Sequence, residues 1–204
     1  WPSHPITQHI SLKRLEQLKR YLKLSDIEED QKNAPDANKR WYSKVEPLFS
    51  QVMAASLRLY TPGSFVSIDE VMVRFSGRSA HTYRIQNKPV PKGYKLVAVA
   101  HRGYTCAAVP MSRHDKSQLA FLRVSGMSDT ESVTIHLLSK INNMPPNRKD
   151  LVLVCDNYYT TNKLFRYLKS NGIGALGTCK KNLVPPLLKK TTQSINKPEW
   201  GSLH

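Results

Sequence analysis

Five consecutive apolar residues, Leu151-Val152-Leu153-Val154-Cys155, constrain the fold more than any other stretch of the chain. The run is too short for a buried helix and has no polar residue for water to meet. That pattern is expected of a strand covered on both faces. It stops on Asp156-Asn157. A sheet with other layers packed on it is therefore required.

The segments around this run supply the layers. Leu12, Leu15, Leu18 and Leu22 recur at helical spacing, so residues 11–24 read as an amphipathic helix whose apolar stripe has to dock on something. Residues 25–40 are polar, with Asn33, Pro35, Asp36 and Asn38, and read as a linker. Ser43 and Glu46 are spaced as a capping box, and Val45, Leu48, Val52, Ala55 and Leu59 extend a second helix to about Tyr60. The period then changes. Residues 65–73 form a β-rich strand, and 76–93 a basic, Pro- and Gly-punctuated connection. Tyr94–Ala100 and Tyr104–Met111 are two more strands around a turn at His101-Arg102-Gly103. Ser128 and Glu131 cap a helix that Pro145-Pro146 ends. A further helix runs from about Thr161 to Gly172, a last strand spans Ile173–Cys179, and 180–204 reads as a loop. Two helices followed by β-β-β-α-β-α-β define an α/β fold: an RNase H-like mixed β-sheet core flanked by helices, preceded by a helical N-terminal region. The expected domains are residues 1–60 (helical accessory), 61–182 (core) and 183–204 (an irregular tail or the start of an insertion). No G-x-G-x-x-G or Walker A sequence follows any strand, which excludes the common nucleotide-binding sheets.

Charge narrows the class of partner. The 204 residues carry 31 Lys plus Arg against 15 Asp plus Glu, a formal charge of +16, and 40% of them are apolar, enough to build a core. No acid lies between Val71 and His114, where Arg74, Arg78, Arg84, Lys88, Lys92, Lys95, Arg102 and Arg113 stand. After Asp156 the one acid is Glu199, against eight lysines and arginines that include Lys180 and Lys181. An uncompensated basic field attracts polyanions, nucleic acid foremost. Phe75, Tyr83 and Tyr94, interleaved with these cations, either stack on unpaired bases or pack on the sheet, and packing is the expectation. No run approaches the ~20 apolar residues of a membrane span, so no membrane partner is expected. Starting at Trp1 without a signal sequence, the chain reads as a fragment. Cys106, Cys155 and Cys179 are too scattered for a disulfide framework or zinc site and are expected to be buried thiols. His81, His101 and His114 follow no metal-ligand spacing.

Two carboxylates stand out by position: Asp69 inside the first core strand and Asp156 at the end of the apolar run. If those strands are neighbours, two acids sit together where only a cation makes the arrangement favourable. A hard divalent ion such as Mg²⁺ would suit them. In the competing reading, Asp69 caps a turn or pairs with Arg74 or Arg78, and Asp156 merely ends its strand.

Particular residues add a resemblance. Tyr60-Thr61-Pro62-Gly63, Ser67-Ile68-Asp69-Glu70, Phe75-Ser76-Gly77-Arg78, Asn87-Lys88-Pro89 and Gly93-Tyr94-Lys95 resemble, in order, a segment of piggyBac-type transposases. Cys155-Asp156-Asn157-Tyr158-Tyr159-Thr160 resembles the second signature of that family, and Gly177-Thr178-Cys179-Lys180-Lys181-Asn182 a later strand end. Lys44-Val45-Glu46-Pro47-Leu48 is similar to the helix before its first catalytic strand. The resemblance runs from about residue 11 to about 190.

It implies an RNase H-like enzyme that cuts and joins DNA with three aspartates and Mg²⁺ (or Mn²⁺) at TTAA targets. Double-stranded DNA would be the partner, the subunits would form a homodimer, and the location would be the nucleus. Asp69 and Asp156 match the first two aspartates, as catalytic residues and metal ligands. Arg74, Arg78, Arg84, Lys88, Lys92, Lys95, Lys180 and Lys181 are the expected DNA-binding cations. The third aspartate and the Cys-rich zinc domain of the family have no counterpart in these residues, and Glu199 lies in no family motif. The 204 residues alone are therefore expected not to cut DNA. The alternatives are a domesticated DNA-binding or protein-interaction module without nuclease activity, and an unrelated metal nuclease of the same fold.

Overall fold

A computed structural model describes residues 5–24, 41–86, 88–115, 122–142 and 150–179. The linker at 25–40, the Pro145-Pro146 stop, Lys180, Lys181, Glu199 and the tail lie outside the described residues. The chain divides into two compact units, Trp1–Ala54 and Ala55–His204.

In the first unit a short 3₁₀ turn, Pro5–Gln8, precedes helix α1, Leu12–Tyr21. Ser11 caps α1 by accepting from the Arg14 N–H at 3.3 Å. Leu12, Leu15, Leu18 and Leu22 form the stripe the spacing predicts, yet all four are exposed. Helix α2, Glu46–Leu59, carries Phe49, whose ring meets that of buried Tyr42 edge-on at 6.4 Å.

The second unit is the predicted mixed sheet. Its strands are β1 (Phe65–Arg74), β2 (Tyr83–Arg84), β3 (Lys92–His101), β4 (Tyr104–Met111), β5 (Val152–Cys155) and β6 (Gly174–Gly177). Helix α3, Asp129–Asn142, connects β4 to β5, and α4, Asn162–Ser170, connects β5 to β6. Strand β1 is central, antiparallel to β3 on one side and parallel to β5 on the other. Strand β4 and the short β2 pair with β3, and β6 runs parallel to β5. The connection 76–93 thus contains one strand that its composition hid: β2 is only two residues long and pairs with Lys92 and Gly93.

The β3–β4 turn works because Arg102 and Gly103 both take positive φ, 48° and 81°, as tight hairpins of the right twist require. Gly93 answers a different demand, since a Cβ there would collide with the Val73 carbonyl of the neighbouring strand.

Helices α3 and α4 cover one face of the sheet. Val133, Leu137, Leu138, Ile141, Leu164 and Leu168 close over Val66, Ile68, Val97, Val99, Leu153 and Cys155, all buried. The start of α3 is built as the spacing predicts, and α4 gains an N-cap at Thr161. The Ser128 N–H donates to Glu131 Oε2 at 2.7 Å while the Glu131 N–H donates to Ser128 Oγ at 3.3 Å. Thr161 accepts from the Leu164 N–H at 3.1 Å, and Gly172, at φ 74°, follows the end of α4.

Two expectations need correction. The apolar run is not covered on both faces: Leu153 and Cys155 are buried, but Val154 is 39% exposed. Both core helices lie on one side; on the other face Phe65, Val71, Val73, Val154 and Leu176 are exposed, while Ala98 and Ala108 of β3 and β4 are buried. Cys106 and Cys155 are buried thiols, whereas Cys179 is exposed, because it lies beyond the last paired residue of β6.

Candidate functional site

The parallel β1–β5 register runs from Phe65↔Val152 to Ile68↔Cys155. One residue beyond that last pair stand Asp69, still within β1, and Asp156, just past the end of β5. Residues opposite each other in a parallel pair share a face, so the two aspartates occupy neighbouring positions, alternate to the core residues Ile68 and Cys155. Both are exposed. The sequence separation of 87 positions gives no hint of this; only the strand pairing produces it.

Each carboxylate is held by local backbone. Asp69 Oδ1 accepts from the Glu70 N–H at 2.7 Å, and Asp156 Oδ1 from the Tyr158 N–H at 2.9 Å. The Asp156 carbonyl accepts from Thr160 Oγ1 at 2.7 Å, which closes the turn into α4. Burial on its inner side raises the Asp69 carboxyl above the ordinary carboxylate range, and the Glu70 carboxylate beside it adds to the rise. Neither Arg74 nor Arg78 pairs with Asp69. Among the described residues the ion pairs are Lys88–Glu70, at 3.2 Å, and Arg123–Asp129, at 3.4 Å.

Glu70 is a member of the site that spacing alone did not single out. Burial would raise its carboxyl, but bonds to Asp69 and Lys88 hold it below the usual range. The bond to Glu70 in turn keeps the Lys88 ammonium charged, with Asp69 and Asp156 adding to the effect. Beneath this group lies Tyr159, 1% exposed, whose hydroxyl has no hydrogen-bond partner among the described residues. Burial pushes its phenol up, and the fields of Glu70, Asp69 and Asp156 act in the same direction.

The six described cations of the expected DNA set are not equivalent. Arg74, Arg78, Arg84 and Lys92 are exposed. Lys88 is engaged with Glu70, and Lys95 lies over two tyrosine rings, 5.0 Å from the centroid of Tyr158 and 5.8 Å from that of Tyr83. Phe75 and Tyr94 pack on each other at 4.7 Å, as expected of residues lying on the sheet. His101 Nδ1 and the Tyr60 hydroxyl are 2.6 Å apart, and His81 Nδ1 is 2.8 Å from Ser112 Oγ, so both rings are hydrogen-bonded.

The donor set suits a hard cation: two carboxylates at adjacent strand positions, one of them raised by burial. Among the described residues, however, no three His, Cys, Asp or Glu side chains are grouped to hold a metal. No described helix is long and apolar enough to cross a membrane.

A mixed sheet of this order, with α3 and α4 packed on one face, is an RNase H-like core. Residues 1–202 match the family described as Transposase IS4, and the chain belongs to that family. Within it the chain is similar to piggyBac-type proteins. It is 24% identical over 168 residues to the human piggyBac transposable element-derived protein 3, a match covering 79% of this chain and 26% of that protein. The human chimeric ERCC6-PGBD3 protein is also 24% identical over 168 residues, 79% of this chain and 15% of that one. The solved piggyBac transposase synaptic complex with hairpin DNA shares the fold, with a TM-score of 0.69 at 22% identity, covering 92% of this chain and 37% of that one. The chain thus spans about a quarter or less of the curated relatives it matches.

Proposed function

We propose that this chain is a DNA-binding, transposase-derived domain in which Asp69 and Asp156 form the preserved part of a divalent-metal site. The observation that supports the reading is the β1–β5 register, whose last pair, Ile68 and Cys155, immediately precedes Asp69 and Asp156. Its companion is the basic field around them, with Arg74, Arg78, Arg84 and Lys92 exposed to meet phosphates and no acid between Val71 and His114.

Asp69 and Asp156 would be the ligands this chain offers to Mg²⁺ or Mn²⁺. The ion would supply Lewis-acid activation of water and charge stabilisation at a phosphodiester. The chain's own residues do the rest. The Glu70 and Tyr158 N–H groups orient the two carboxylates, and Lys88 neutralises Glu70 next to them. The exposed arginines hold the sugar–phosphate backbone. In a longer parent with a third acid, these parts serve strand cleavage and transfer in the nucleus, at TTAA-type targets, by a homodimer. The similarity of the fold to a transposase solved with DNA supports DNA as the partner.

For these 204 residues alone, a second reading has its own support. Asp69 and Asp156, with the neighbouring Glu70 committed to Lys88, hold a metal pair poorly, so the chain acts as a binding module. Titration calorimetry with MnCl₂ on wild type, Asp69→Ala and Asp156→Ala tests the metal site. Weak binding that either substitution abolishes supports it; a folded wild type that takes up no metal sinks it. A DNA nicking assay on the same samples separates the two readings.

A further inference from the structure

Four side chains from four separate segments form one alternating row. Arg113 Cζ lies 4.8 Å from the centroid of the Tyr83 ring, Lys95 Nζ 5.8 Å from that same centroid, and Lys95 Nζ again 5.0 Å from the centroid of Tyr158. Tyr83 belongs to β2, Lys95 to β3, Arg113 follows β4, and Tyr158 follows β5. The row ends at the candidate site, since the Tyr158 N–H donates to Asp156 Oδ1. Tyr158 is held edge-on by Tyr159 at 5.1 Å yet remains 51% exposed. Neither Lys95 nor Arg113 enters an ion pair among the described residues.

We propose that Arg113, Tyr83, Lys95 and Tyr158 are a shelf for unpaired DNA bases beside Asp156. The proposal rests on the DNA-binding reading above and names the form of DNA that the site prefers. The chemistry is that of single-strand recognition: cations meet phosphates, while an exposed aromatic face stacks on a base of any sequence. A purely structural row would cover its last ring; this one leaves Tyr158 half exposed, and neither cation is in an ion pair among the described residues. Bases inside a duplex already stack on each other, so paired DNA gains only the phosphate contacts. The shelf therefore favours a strand whose bases are freed next to the position where Asp69 and Asp156 act.

Fluorescence anisotropy on the 204-residue chain tests this, with a blunt duplex and the same duplex carrying a single-stranded extension of either polarity. Wild type binds one extended form about tenfold more tightly, the scale of stacking one or two bases. Tyr158→Ala and Tyr83→Ala erase that preference while blunt-duplex binding changes less than about twofold, and Tyr158→Phe keeps it. Tyr158→Trp gives a second readout that does not depend on truncation: its added fluorescence is quenched by the extended DNA and not by the blunt one. Equal binding of both DNAs by wild type, or a preference that survives Tyr158→Ala, overturns the shelf and leaves the DNA reading standing. No binding to either DNA overturns both.

Discussion

Glu131 joins the starts of two helices: its Oε1 accepts from Thr161 Oγ1 at 2.5 Å while its Oε2 accepts from the Ser128 N–H at 2.7 Å. The residue that closes the capping box of α3 thus also orients the N-cap of α4, the helix that follows Asp156. Burial alone would raise its carboxyl, but the hydrogen bonds from Thr161 and Ser128 hold it below the usual range. A depressed folded value means its stabilisation is complete above the unfolded glutamate range, about 4.3, and is lost as pH falls through the lower folded value. Glu131→Gln should cost about 1–3 kcal/mol at neutral pH in urea unfolding, with a gap to wild type that narrows below about pH 4. A gap of constant size across that range would show that the charge contributes nothing.

The two faces of β5 should respond unequally. Leu153→Ala empties a site in the core and should cost about 2–5 kcal/mol. Val154→Ser on the open face should stay within about 1 kcal/mol of wild type in the same unfolding experiment. Equal losses would mean that something covers Val154 in solution.

Gly93→Ala should lower the melting temperature by several degrees, each kcal/mol being worth about 2–4 °C in a chain of this size. The added methyl meets the Val73 carbonyl, a backbone atom that cannot swing away as a side-chain tip could. An unchanged melting temperature in a calorimetric scan would mean that β1 and β3 separate there at no cost.

Exposed and engaged cations should separate in DNA binding. The triple variant Arg74→Ala, Arg78→Ala, Arg84→Ala should weaken duplex binding and reduce the slope of log K against log salt by about 2–3, close to one phosphate contact per arginine. Lys88→Ala should change the slope far less, because Lys88 is committed to Glu70. Anisotropy titrations across a salt series distinguish the two, and equal slope changes would contradict the division.

Much of this architecture is legible in the sequence because its signals are local. The capping pair at Ser128/Glu131, the Gly172 stop, the Arg102-Gly103 turn and the helical periods all act within a few residues. The nearness of Asp69 and Asp156 follows once β1 and β5 are taken as neighbours. What stays hidden depends on partners far apart in the chain. Lys88 meets Glu70 across a connection without periodicity, and two-residue β2 is too short to carry a pattern. The Arg113–Tyr83–Lys95–Tyr158 row assembles from segments up to 75 positions apart. Val154 misled for a related reason: five apolar residues signal a strand with two apolar faces, but not whether the described chain covers both.

The central claim is that Asp69 and Asp156 serve one ion together. Electron paramagnetic resonance of Mn²⁺ titrated into wild type, Asp69→Ala, Asp156→Ala and the double variant tests it most directly, with circular dichroism to confirm folding. One shared site predicts that each single substitution removes the bound ion and that the double variant loses nothing more, because neighbouring ligands of one ion are not additive. Independent, additive losses from the two positions, or undiminished binding in the double variant, would contradict the account.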